Sequence, residues 1–324
     1  MNTQEFKNKL ESLLALGDNF SALVFFAMRS AEGIVLKKAN MKAEVLTGIA
    51  EGYRDSLHYE HERFAHDDQM AVLNLSDRDE RANVIYRYDI PDAEPSYFNV
   101  MKEPVSEPVV DYTDQKLFNF NDDSFSEIDY FVIRLGSEDN HIVVYRDNFN
   151  VNLMKQARGR YYLNKSGTQI DKLDSDILRM DSQIDCMLID NDFYIVNLKN
   201  LDTSKEFAVI IKSRANAAVD LIAELPFVDN VDGLREHLED LPFARRLMRA
   251  MDNSPVTGLP ANEVLDFVRN HQKLGRLISI NGDKFDLSTK KSQNAFVSLL
   301  NDDFLYSKLT QKDYETTSKG EMRD

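Results

Sequence analysis

Three times past residue 127 the chain passes through an apolar stretch, a tight polar turn and a second apolar stretch. The first unit is Ile128 to Leu135, the turn Gly136-Ser137-Glu138-Asp139-Asn140, and His141 to Tyr145. The second runs from Ile184 to Ile189, through Asp190-Asn191-Asp192, to Phe193–Leu198. The third joins Leu277–Ile280 to Lys284–Leu287 through Asn281-Gly282. Strand-length apolar runs joined by residues that tolerate positive φ close most readily as antiparallel hairpins. A weaker hairpin is expected from Ala22–Met28 and Ile34–Leu36 around Ala31-Glu32-Gly33.

Helical spacing fills the intervals. It predicts helices over Thr3–Leu16 and Met41–Leu57, then Ser204–Leu225, Val231–Met251 and Asn262–Leu274, with Pro242 and Pro260 as breaks, and last Lys290–Leu300. Half of the eight prolines lie between Pro91 and Pro108, which reads as a connector because proline removes a backbone donor and disfavours helix before it. The fold class expected is α+β, with mixed or antiparallel sheets built from hairpins and a helical block in the second half. Residues 1–120 are expected to form an N-terminal α/β region and 121–324 a C-terminal domain of hairpins plus helices.

The charge is divided unevenly. The 324 residues carry 39 basic and 55 acidic side chains, a net −16, of which −13 falls in residues 1–150. That balance excludes a protein that coats nucleic acid with its whole surface. It leaves local basic sites possible, since potentials fade over a Debye length of about 8–10 Å. Between Val151 and Ile170 the chain has Lys155, Arg158, Arg160 and Lys165 and no acid, with Tyr161-Tyr162 beside them. Guanidinium forks match phosphate oxygens, and glycine at 159 allows close backbone approach. Pairing with the chain's own carboxylates, such as those of the acidic 122–129 segment, explains the stretch equally well. Arg245, Arg246 and Arg249 form a second basic group, although an amphipathic helix ordinarily carries arginines on its wet face. Lys290 and Lys291 fall in the first turn of the last predicted helix, where cations oppose the helix dipole and are better explained by a phosphate partner.

Catalytic signatures are incomplete. His58, His61 and His66 cluster with acids, but a zinc-protease helix needs two histidines four apart. Here His61 and His66 are five apart, about 140° around a helix, so a solvated helix end is the better reading. Asp185 on one strand and Asn197-Leu198-Lys199 after the next approach the pattern of magnesium-dependent nucleases, with Asn in place of a second carboxylate. The single cysteine, Cys186, sits in an apolar strand with no base beside it and rules out an internal disulfide. No phosphate-cradling glycine loop occurs, and no cofactor or metal is expected. The chain lacks an apolar run near the ~20 residues of a membrane span and lacks a signal-peptide pattern, so it reads as cytoplasmic.

Several segments, taken in order, resemble one family. They are Phe131-Val-Ile-Arg-Leu through Val144-Tyr145-Arg146, then Val151-Asn-Leu-Met-Lys155-Gln156, and the strand pair Met187 to Val196. Next come the helix opening at Ser204-Lys-Glu-Phe207, the run Leu299 to Ser307 and the ending Tyr314 to Lys319. Over roughly residues 128–320 this layout is similar to the KwaB-like family, the B subunits of the Kiwa anti-phage defence system. The resemblance implies a defence effector that binds double-stranded phage DNA and impedes its replication or expression. It also implies a homo-oligomer recruited to the inner membrane by a transmembrane Kiwa A subunit. It carries no catalytic residue. The DNA-contact candidates Lys155, Arg158, Arg160, Lys165, Arg245, Arg246, Arg249, Lys290 and Lys291 come from charge alone. A metal-dependent nuclease and a non-DNA-binding adaptor for the membrane partner are the alternatives.

Overall fold

The computed structural model describes residues 1–30, 33–75, 83–90, 94–106, 117–148, 152–154, 163–166, 169–172, 176–199, 205–307, 309 and 312–315. Contacts divide the chain into two units. Unit 1 comprises Met1–Val72, Ile85–Tyr88 and Ser96–Asn200; unit 2 comprises Leu73–Val84, Asp89–Pro95 and Leu201–Asp324.

Unit 1 is organised by an eight-stranded sheet. Its strands are β1 (Ser21–Ser30), β2 (Gly33–Lys38), β3 (Ala71–Asn74), β4 (Val84–Arg87), β5 (Ile128–Gly136), β6 (His141–Asp147), β11 (Cys186–Ile189) and β12 (Asp192–Ile195). Their order is β2-β1-β5-β6-β11-β12-β4-β3. Every pairing with a described register is antiparallel. The hairpins β1/β2, β5/β6 and β11/β12 are each adjacent in the sheet, as the turn signals predict. Asp190 (φ 48°) and Asn191 (φ 72°) supply the two positive φ values of a tight hairpin turn. Gly136 (φ 122°) is demanded at the β5/β6 turn, because a Cβ there would lie 2.3 Å from the Asn140 carbonyl oxygen. Small hairpins lie between β6 and β11: β7 (Leu153–Met154) with β10 (Ile177–Leu178), and β8 (Leu163–Ser166) with β9 (Gln169–Lys172). Since β1 pairs with β5, the sheet takes strands from both sides of residue 120.

Helices cover both faces of this sheet. On one, α1 (Thr3–Leu14) and α2 (Ala43–His66) bury Phe6, Leu10, Leu13, Tyr53 and Leu57 against Val24, Phe26, Phe131, Ile133 and Val144. Asn2 and Glu5 close the start of α1 as a capping box. On the other, α3 (Ser96–Ser106) places Phe98 flat on Phe193, with ring centres 3.7 Å apart, and Tyr97 against Tyr145. Burial on both faces explains why these strands read as continuous apolar runs rather than alternating ones. It also corrects the reading of 91–108 as a connector. Residues 96–106 form a helix because Tyr97, Phe98, Val100 and Met101 pack inward, with Pro104 near the helix end.

Unit 2 contains α4 (Lys205–Ala223), α5 (Asp232–His237), α6 (Leu241–Asn253), α7 (Ala261–Asn270), α8 (Leu274–Leu277) and α9 (Lys290–Leu300). Two hairpins accompany them, β13 (Ser279–Asn281) with β14 (Lys284–Asp286) and β15 (Phe304–Ser307) with β16 (Lys312–Glu315). Pro242 stands in the first turn of α6, so the break predicted there separates α5 from α6. Phe227, Phe243, Phe285 and Phe296 are fully buried here. The fold is α+β with the helical block in the second half.

Candidate functional site

The predicted basic residues meet different fates. Lys155, Arg158 and Arg160 lie outside the described residues. Lys165 is a β8 residue of unit 1, opposite Ile170 of β9. The remaining five are in unit 2. Helix α6 packs against both α4 and α9, which leaves it little wet face. Arg245 and Arg249 are accordingly buried, 5% and 2% exposed, and Arg249 Nε donates to the Arg245 carbonyl at 3.3 Å. The expectation that all three α6 arginines reach solvent is corrected for these two.

Arg246 is different. Its Nη2 donates to Asn294 Oδ1 at 2.6 Å, and Asn294 Nδ2 donates to the Lys290 carbonyl at 2.8 Å. One neutral amide therefore ties Arg246 to the first turn of α9, where Lys290 and Lys291 are exposed. Thr289 and Ser292 cap that turn reciprocally, and no acidic residue sits in it. Arg246, Lys290 and Lys291 form no ion pair among the described residues, whereas Arg235 pairs with Asp220, Lys212 with Glu239, and Arg269 with Asp266 and Asp283. The local field registers at His237, which is stacked on Phe243. Its pKa lies below the usual value, mainly through burial, with Lys290 and Arg246 adding to this against Gln293 and Asp240. The structure thus ties residues from two of the three predicted basic groups into one corner, whose cations form no ion pair among the described residues.

The nuclease pattern is not assembled in an open site. Asp185 is fully buried, and both its carboxylate oxygens accept from Arg146 Nη1, at 3.2 and 3.1 Å. The backbone N–H of Asp147 adds a bond to Asp185 Oδ2 at 2.9 Å. The carboxylate required as a metal ligand is thus neutralised by a guanidinium. Lys199 is exposed, and Asn197 donates its backbone N–H to the Asp185 carbonyl at 3.1 Å. Among the described residues no group of three metal-ligating side chains occurs.

Charge patterning does not single out Arg146, yet this residue organises the region. Its Nε and Nη2 also grip Asp181, at 2.8 and 3.0 Å. One buried arginine therefore staples both ends of the segment 181–185. The Tyr53 hydroxyl donates to the Asp181 carbonyl, and Ser56 meets Ser182 at 3.2 Å, fastening the segment to α2. Burial opposes the Arg146 charge, but the two aspartates more than offset it and hold its pKa above the usual value. For Asp181, too, the hydrogen bonds and charge of Arg146 outweigh burial and lower its pKa. Asp147 is raised, first by burial and then by Asp185. The sequence signal was available: a charged residue that directly continues the apolar strand run Ile142–Tyr145 needs a partner if the strand is buried.

Between α2 and this segment lies a cleft of about 550 Å³, lined by Gly52, Asp55, Ser56, Tyr59, Glu60 and Arg63 on one side and by 182–184 and 196–197 on the other. The histidines sit on the same helix, with His58 facing Glu62 and His61 facing Glu11. Cys186 is fully buried, and burial reinforced by Asp185 holds its thiol far from ionisation.

A family described as Kiwa protein KwaB-like matches residues 125–310. The chain is also similar to a curated Kiwa protein KwaB of Escherichia coli O55:H7 (strain RM12579 / EPEC), at 28% identity over 328 residues and 99% of each chain. The second match reaches across the first 120 residues as well. No solved structure matches. No described helix is long and apolar enough to cross a membrane.

Proposed function

The chain belongs to the KwaB-like family of Kiwa anti-phage defence proteins, and from that premise we propose that it is the DNA-binding effector of the system. In this reading it holds double-stranded phage DNA by the phosphate backbone and impedes replication or expression, working with a transmembrane Kiwa A subunit and as a homo-oligomer. The observation that carries the proposal is the corner formed by Arg246, Lys290 and Lys291. These cations have no carboxylate partner among the described residues, although the chain has 55 acids with which to supply one. The positive end of α9 lies beside the lysines, a combination suited to phosphate and unfavourable without it. Lys165 and the segment carrying Lys155, Arg158 and Arg160 are proposed as further contacts.

Contacts of this kind read no base and release counterions. Duplex binding by the full chain should therefore weaken steeply between about 50 and 200 mM salt and vary little with DNA sequence. Binding that is absent, or indifferent to salt, would sink the proposal.

A further inference from the structure

Unit 1 also presents an apolar surface. A groove of about 910 Å³ runs between a wall holding Met41, Val45 and Ile49 and a wall holding Leu117, Phe118 and Phe125. Val45 is 45% exposed, and Phe120, which also lines the groove, is 71% exposed. The Phe120 ring is fixed all the same, since it meets Phe118 and Phe125 edge-on with ring centres 5.0 and 5.1 Å apart. Its loop is fixed too. The Asn119 carbonyl accepts the backbone N–H groups of Asp122 and Asp123, and the Asn119 side chain accepts that of Asn121. Asp123 in turn accepts the Asn119 N–H and pairs with Lys37. A large ring held outward in this way loses little further freedom when it is covered, as an interface anchor requires. With the exposed amides of Asn40 and Asn121 at its edge, the groove has an apolar centre and a polar rim.

Two features select the occupant. The groove and the ring projecting beside it belong to one surface, so a copy turned about a two-fold axis offers a ring for each groove and a groove for each ring. The charges beside the walls have the same symmetry. Lys42 follows Met41 at one wall and Asp122 follows Asn121 at the other. Both are exposed, and neither forms an ion pair among the described residues. A small apolar ligand would fill the groove and leave both charges and the outer face of Phe120 in water.

We propose that this groove docks a second copy of the chain about a two-fold axis, each Phe120 seated in the other copy's groove and each Lys42 opposite the other copy's Asp122. The inference deepens the homo-oligomer of the proposed function and rests on that part of it. It uses residues of unit 1 alone, whereas the basic corner belongs to unit 2.

The test is sedimentation velocity of the full chain over a wide range of concentration. The wild-type chain should sediment as a dimer, and Phe120→Ser should weaken the association about thirtyfold, as loss of an interface anchor does. Lys42→Asp and Asp122→Lys should each weaken it about tenfold, because each sets like charges opposite one another twice. An equimolar mixture of those two variants should recover the dimer, since every contact across the axis then pairs opposite charges again. All three positions are exposed, so the variants should melt as the wild type does. A wild-type chain that stays monomeric overturns the homo-oligomer and this interface together. An oligomer that none of the three substitutions weakens overturns the interface alone, and weakening without recovery in the mixture overturns the two-fold arrangement. A monomer that binds palmitate, with Phe120→Ser defective, assigns the groove to a small apolar ligand instead.

Discussion

Arg146 and Arg246 are the same side chain put to opposite uses in the two units. Arg146 is buried and gripped by two aspartates, one at each end of the segment it fastens. Arg246 is half-buried and held by the uncharged amide of Asn294. A carboxylate partner orients an arginine and cancels its charge; an amide partner orients it and leaves the charge to act outward. What distinguishes a structural arginine from a candidate for phosphate contact is therefore the partner's charge. Composition, or a count of arginines in a window, does not report that.

The largest effect should come from breaking the Arg146 staple. Arg146→Ala removes the guanidinium from which both oxygens of the fully buried Asp185 accept, and removal of one member of such a pair costs about 3–5 kcal/mol. Chemical denaturation of the variant measures this directly. A change under about 1 kcal/mol would show that the staple does not hold the cleft wall. The companion variant Arg146→Met with Asp181→Asn and Asp185→Asn should recover much of the stability, because all three charges of the staple are removed together.

The contrast can be repeated inside α6, where Arg249 and Arg246 are three residues apart. Arg249→Ala removes a large buried side chain and should cost about 2–5 kcal/mol, as core truncations do, while leaving the salt slope of DNA binding unchanged. Arg246→Ala should do the reverse, changing stability by about 0.5 kcal/mol or less and lowering the slope of log K against log salt by roughly one. Adding Lys290→Ala and Lys291→Ala should lower the slope by roughly one more for each phosphate that is no longer neutralised. Anisotropy titrations on two unrelated duplexes test both the slope and its indifference to sequence. An Arg249 variant that folds and is selectively defective in DNA binding would erase the distinction.

The hairpins could be read because their causes are local. Asp190-Asn191, Asn281-Gly282 and Gly136 lie beside the strands they reverse, so a short window contains both signal and consequence. The sheet order could not be read, since β6 meets β11 and β12 meets β4 across long separations in the chain. The helix over 96–106 was hidden for a related reason. Pro104 within it and Pro95 before it argue locally against a helix, and the aromatic stack of Phe98 on Phe193 outweighs them only once the sheet exists. At the candidate sites the separation is again decisive. Arg146 lies 35 residues from Asp181 and 39 from Asp185, so although its place beside an apolar run called for a partner, which partner could not be read. Arg246 and Asn294 are 48 apart, and their union turned two weak basic signals into one corner.

The smallest expected effect sharpens the comparison within unit 1 itself. Glu60 and Asp181 line and anchor the same cleft, yet their pKa values move in opposite directions. Glu60 is raised by burial, so its contribution to stability is fullest below the ordinary carboxylate pKa and is lost as pH rises through the raised folded value. Asp181 is lowered by Arg146. Its contribution is present above the ordinary value and is lost as pH falls through the depressed one. Glu60→Gln should therefore flatten the decline in stability on the alkaline side of about pH 4.5, and Asp181→Asn should flatten the acid limb below about pH 4. Urea midpoints measured across pH 3 to 7, on the order of one pH unit apart, resolve both limbs. If the two substitutions changed the pH profile in the same direction, Arg146 would not be the partner that separates these carboxylates.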